Sequence, residues 1–204
     1  MRSGKPDLKA LWNALDEAAF GPERILNLRE SLPTAAEARS RTEMWLRSRQ
    51  VVKSQEVLII TGRGNQSLGG IGIIRQEILQ MLPGLRRRGV VESWKDHNQG
   101  AIVVKLAPIS ALLSETRRRR DKSGSMPAEA DPQSLSALGA DTLRLLRQLA
   151  AQNLETLGVK DPGPFMEQEM VRNFSTLANA IPAGENREAR LREAILGAIA
   201  EVSD

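Results

Sequence analysis

The chain contains no cysteine and a single histidine, His97. Without thiols it has neither a disulfide framework nor a thiolate zinc site, which points to an intracellular protein, and one imidazole argues against a histidine-based metal cluster. Aromatic residues make up 3% of the 204, with no tyrosine, so base stacking is not the main source of affinity for any ligand. No window approaches the roughly 20 apolar residues of a membrane span. The opening MRSGKPDLKALWNALDEAAF carries acidic residues where a signal peptide needs an apolar core. A globular, cytoplasmic chain without a metal or cofactor is expected, with no membrane partner.

Charge is plentiful and unevenly placed. Residues 1–120 hold 21 basic and 12 acidic side chains, a net of +9, whereas residues 121–204 hold 8 and 13, a net of −5. A basic first part raises the local concentration of polyanions such as nucleic acid. The same charges also read as two solubilised surfaces.

Apolar spacing divides the chain into four parts. Leu8, Leu11, Trp12, Leu15 and Ala19 predict an N-terminal helix over 7–20 that ends at Gly21-Pro22. An α/β unit over 23–107 begins with a short strand, RILNLRE, followed by a helix from about Ala35 to Val52. Thr34 and Glu37 open that helix with the spacing of a capping box. A buried strand, Val57–Ile60, leads into a glycine-rich turn. The stripe Ile71, Ile74, Ile78 and Leu82 then predicts a helix that Pro83-Gly84 terminates. Strands at 89–94 and 101–106 follow, separated by the polar loop KDHNQG. The β-α-β-α-β-β order predicts a two-layer α/β domain whose four-stranded sheet is at least partly parallel. Residues 108–130 read as a basic linker around Arg117–Arg120. Residues 131–204 read as an acidic helical extension with helices over 135–157, 165–181 and 188–202.

The glycine turn, TGRGNQSLGGIG after Ile60, is the most informative segment. It is not a P-loop, because Gly70 and Ile71 stand where Lys and Ser/Thr would hold a phosphate and its magnesium. It is not a dinucleotide fingerprint either, since Ser67 occupies the third glycine position. A strand ending in Thr61-Gly62-Arg63-Gly64, then a loop of small residues and a helix start, exposes backbone amides at the positive end of a helix dipole and suits a phosphate. The plainer alternative is a tight turn with a solvated arginine.

The stretch from Ile25 to Leu106 resembles the small MutS-related (Smr) domain. The resemblance rests on LNLR followed by the Glu37-Ala38 helix, on the TGRGNQS segment, on Gly72 to Arg75 opening the second helix, and on the closing NQGAIVVKL. It implies the β-α-β-α-β-β fold, similar to the C-terminal domain of a bacterial translation initiation factor, and binding to branched or structured nucleic acid. Some members of the family nick DNA or cut messenger RNA at ribosomes. Cleaving members are expected to carry Leu-Asp-x-His on the first strand, where this chain has Leu26-Asn27-Leu28-Arg29. Asn27 is neutral and Arg29 stays protonated, so neither serves as a general base. That pattern favours binding to RNA or structured DNA without cleavage. The expected binding set is Asn27, Arg29, Thr61, Gly62, Arg63, Gly64, Asn65, Ser67 and Arg75, with Arg86, Arg87 and Arg88 as flanking phosphate contacts.

His97 is the weak catalytic candidate that keeps open an endonuclease acting through Thr-Gly-Arg-Gly. Another alternative is a protein–protein adaptor using residues 131–204, with the ribosome or another protein as partner. Trp12 and Trp45 fall on helix faces and read as core, whereas Trp94, beside the polar loop, reads equally as core or as a stacking platform.

Overall fold

The computed structural model describes residues 20–29, 31, 33–62, 72–114, 133–182, 184 and 186–203. Four strands, Ile25–Asn27 (β1), Glu56–Ile60 (β2), Val91–Asn98 (β3) and Ala101–Leu106 (β4), form one sheet in the order β1-β2-β4-β3. β1 runs parallel to β2, and β4 is antiparallel to both β2 and β3. Helices Ala35–Val51 (α1) and Ile73–Arg87 (α2) follow β1 and β2 and pack on one face. This is the expected two-layer fold with a mixed sheet, and helices follow it.

The local causes are visible in the side chains. The Thr34 hydroxyl accepts the Glu37 N–H at 3.3 Å while the Glu37 carboxylate accepts the Thr34 N–H at 2.8 Å, so α1 begins with a complete capping box. Its Ala38, Thr42 and Leu46, each four residues apart, are buried. β2 is apolar and buried from Val57 to Ile60 because it is covered on both sides there. Val57 and Ile59 face the helices together with Ile102 and Val104. Leu58 and Ile60 form the second face with Ala101 and Val103, against which Phe20 and Ile25 pack.

Three elements depart from the sequence reading. α2 does not end at Pro83-Gly84 but continues to Arg87 with Pro83 inside it. An interior proline costs about 3 kcal/mol. Burial of Leu85, which completes the stripe of Ile78, Met81 and Leu82, returns roughly 1.5–3 kcal/mol, and Arg88 is anchored beyond it on Glu43. β3 runs on to Asn98, so the expected KDHNQG loop shrinks to a turn at Gln99-Gly100, where the Asn98 side chain accepts the Gly100 N–H at 2.8 Å. An edge strand tolerates such polar residues because one side is solvated. The helix expected over 135–157 is broken into Gln133–Ser136 (α4) and Ala140–Thr156 (α5), with Gly139 as the N-cap of the latter. The Gly139 amide donates to Glu188 at 2.9 Å, and a β-carbon there would lie 2.9 Å from the same carboxylate oxygen.

Residues 109–114 form a helix (α3) whose Ile109, Leu112 and Leu113 join the main core, so the polar stretch read as a linker begins only beyond it. Of the predicted N-terminal helix, only Phe20 lies within the described residues, and 115–132 lie outside them. Met166–Ala178 (α6) and Arg187–Ser203 (α7) pack with α5. α7 meets the α/β unit at Lys53 and Ile109. A β-carbon on Gly197 would lie 2.6 Å from the Lys53 side chain, and Glu201 accepts the Ser110 N–H at 2.9 Å. Lys53 precedes β2 and Ile109 follows β4. The acidic extension therefore docks at the sheet end opposite the glycine turn.

Candidate nucleic-acid interface

Parallel pairing of β1 with β2 brings the exits of both strands to one edge of the sheet, where α1 and α2 begin. At the exit of β1 the Asn27 side-chain oxygen accepts the Arg29 N–H at 3.1 Å, a local turn typical of asparagine. At the exit of β2 the Gly100 carbonyl accepts three donors: the Thr61 N–H at 2.8 Å, the Gly62 N–H at 3.0 Å and the Thr61 hydroxyl at 3.3 Å. The β3–β4 turn thus fixes the end of β2, and buried Thr61 is committed to main chain. Gly62 has φ +80°, a conformation that favours glycine. A β-carbon on it would lie 3.5 Å from Cγ and Cδ of Arg29. The fold therefore places the arginine of LNLR directly against the first glycine of TGRG.

The two helix starts differ in charge. α1 is closed by Glu37, whose carboxyl is held below its ordinary value by the Thr34 backbone N–H and then by the Thr34 hydroxyl. α2 starts at Gly72 with no side-chain cap and no acidic residue in its first turn. Its first-turn amides, at the positive end of the helix dipole, have no side-chain cap among the described residues. Arg75, in that first turn, is mostly enclosed. It donates to Asp96 at 2.6 Å and to the Ala101 carbonyl at 3.3 Å, tying α2 to the β3–β4 hairpin.

Other expected site residues are dispersed. Arg63, Gly64, Asn65 and Ser67 lie outside the described residues. Arg86, Arg87 and Arg88 close α2, roughly 20 Å along its axis from Gly72 at 1.5 Å per residue. Arg88 there binds both oxygens of Glu43, at 2.6 and 3.1 Å, alongside Arg47. Arg86 lies 5.5 Å over the ring of Trp94, which packs on the core as Trp45 does. His97 is the extra residue of a bulge between the Asp96–Ile102 and Asn98–Ala101 pairs. Its ring meets Phe20 edge-on at 6.4 Å, and Phe20 packs on the second sheet face, away from Arg75.

Two cations of the edge have no carboxylate partner among the described residues: Arg29, and Arg41, which donates to the Ser31 hydroxyl at 2.8 Å. Arg39 instead pairs with Glu77 at 3.1 Å. Sequence reasoning missed Arg41 and Asp96, because nothing in the spacing of RSRTE or WKDHN shows that the fold turns either toward this edge. No group of three or more metal-ligating side chains occurs among the described residues, and none of their helices is long and apolar enough to cross a membrane.

Residues 26–107 match the family model of the Smr domain, so the chain carries an Smr domain spanning the sheet, α1 and α2. Searches of curated proteins and of solved structures gave no match.

Proposed function

We propose that this Smr domain binds RNA or structured DNA through the edge at the exits of β1 and β2, and holds the strand without cutting it. The observation that carries the reading is the contact of Arg29 with Gly62. It sets a permanent cation beside the glycine turn, where a cleaving site would need an imidazole. The reading is supported by the start of α2, which has no side-chain cap and no acidic residue in its first turn and so suits a phosphate oxygen. It is also supported by the occupied state of the described acids nearby: Glu37 caps its own helix, Glu77 binds Arg39 and Asp96 binds Arg75. Asn27 supplies an amide oxygen that already accepts the Arg29 N–H, and it has no basic site for a proton. Arg63, between Gly62 and Gly64 in the sequence, belongs to the same proposal.

Affinity for a short RNA and for a branched DNA, followed by fluorescence anisotropy, should fall steeply with added salt as counterions are released. Arg29→Ala and Arg63→Ala should each weaken binding more than Arg87→Ala, which alters a cation at the far end of α2. A salt-independent affinity would refute the reading. Nicking of either substrate by the unaltered protein, abolished by Arg63→Ala, would instead establish the endonuclease.

A further inference from the structure

A groove of about 440 Å³ runs from Gly72 along one flank of α2, lined by Gly72, Arg75, Gln76, Leu79 and Gln80. These residues recur at the spacing of a single helix face. They lie beside the core stripe of Ile78, Met81, Leu82 and Leu85 rather than within it. Leu79 packs on the core and gives the groove an apolar element. The guanidinium of Arg75, held by Asp96 and the Ala101 carbonyl, gives it a planar group fixed in position. Gln76 and Gln80 are exposed and one turn apart, and each offers an amide donor and a carbonyl acceptor.

This chemistry selects among ligands. Among the described residues, none that lines the groove is a carboxylate or imidazole that would hold a metal ion, and the cation there, Arg75, is already paired, so a second phosphate is poorly served. A flat, uncharged group with mixed donors and acceptors on its edge is well served. Unpaired bases are recognised in this way, by stacking on guanidinium planes and by hydrogen bonds to their edges. The volume falls within the roughly 300–1,000 Å³ of small-ligand sites. The groove also includes Gly72, at the helix start where the proposed function places a phosphate.

We infer that this groove takes an unpaired nucleobase of the strand whose phosphate lies at the glycine turn, with Gln76 and Gln80 reading its edge. The inference rests on the nucleic-acid reading above and sharpens it, because a groove of this kind selects single-stranded or splayed segments over continuous duplex.

The test is anisotropy with labelled single-stranded RNA, single-stranded DNA, an abasic strand of the same length and a perfect duplex. The expected result is that the unaltered protein binds at least one base-bearing strand about five- to tenfold more tightly than the abasic strand, as a good bidentate amide contact allows. Gln76→Ala/Gln80→Ala should erase that difference while leaving affinity for the abasic strand unchanged, which also shows that the variant is folded. Equal binding of abasic and base-bearing strands, discrimination that persists in the double variant, or a preference for duplex would overturn the groove assignment while leaving the phosphate reading in place. Failure of every strand to bind at low salt would overturn both.

Discussion

Gly62→Ala separates backbone strain from side-chain volume at the centre of the candidate site. Gly62 has φ +80°, and an added β-carbon would sit 3.5 Å from the Arg29 side chain, an ordinary van der Waals contact. Space is available, so the cost comes from the left-handed backbone, about 1–2 kcal/mol for an L-residue. The chain has one escape, which is to rotate the peptide toward negative φ. That breaks the 3.0 Å bond from the Gly62 N–H to the Gly100 carbonyl, itself a net contribution of about 0.5–1.5 kcal/mol. The two routes together bracket a loss of about 0.5–2 kcal/mol, or roughly 1–8 °C in Tm for a chain of this size. Gly62→Asn should recover most of the loss, because asparagine tolerates the left-handed region. Urea unfolding and calorimetry of the three proteins measure the stability term, and anisotropy with the same oligonucleotides measures the displacement of Arg29. A Gly62→Ala protein with unaltered midpoint and affinity would refute the argument. So would a Gly62→Asn protein as damaged as the alanine variant, since volume rather than φ would then be decisive.

Two further perturbations probe what holds the domain beneath the site. Burial alone would raise the Glu43 carboxyl, but its hydrogen bonds and ion pairs with Arg47 and Arg88 outweigh that and hold it below its ordinary value. A depressed folded-state pKa stabilises above the unfolded value of about 4.3 and is lost as pH falls through the folded one. Glu43→Gln should therefore be less stable than the unaltered protein at pH 7, and the gap should close in urea titrations below about pH 4. A gap independent of pH would sink this assignment. Gln50 is 1% exposed, and its amide nitrogen lies 2.7, 3.0 and 3.1 Å from the carbonyls of Gly89, Ala107 and Pro108. Gln50→Leu removes the donor while nearly keeping the volume, and should cost about 1–3 kcal/mol by taking the donor from the Gly89 and Ala107 carbonyls, whereas the Pro108 carbonyl still accepts the Ala111 N–H at 3.1 Å. An unchanged urea midpoint would show that another donor satisfies them.

The fold was legible where a single local rule governs a segment. The Thr34–Glu37 capping box, the apolar run of β2 and the alternation of strands with helices each state their structure directly, and each is present. Local rules misread the chain where a distant partner supplies the energy. Pro83-Gly84 is a strong stop signal, yet the core beneath Leu85 and the carboxylate of Glu43 carry α2 one turn further. KDHNQG has the composition of a loop, yet Asp96 is drawn into β3 by its ladder to Ile102 and by Arg75, 21 residues earlier. Leu135 to Leu157 keeps helical spacing across Gly139, but Glu188 of α7 takes the Gly139 amide and splits the helix.

The candidate site shows the same division on a smaller scale. That Asn27, Arg29, Thr61 and Gly62 come together could be read from the motif alone, because their placement follows from position on parallel strands that must end together. The placement of Arg86 to Arg88 could not, since a basic run has no direction until the helix bearing it is laid against the sheet. α2 runs back from the glycine turn, so its last turn lies at the opposite end, where Arg88 is neutralised by Glu43 and α7 approaches Lys53 and Ile109. One end of the sheet thus holds Arg29 and Arg41, without described carboxylate partners, and the start of α2, without a side-chain cap. The other end pairs Arg88 with Glu43 and carries the acidic extension. That separation keeps the described contacts of the helical extension away from the edge proposed to bind nucleic acid. A short helix returning antiparallel to its strand places its first and last turns at opposite ends of the sheet, whatever sequence links them.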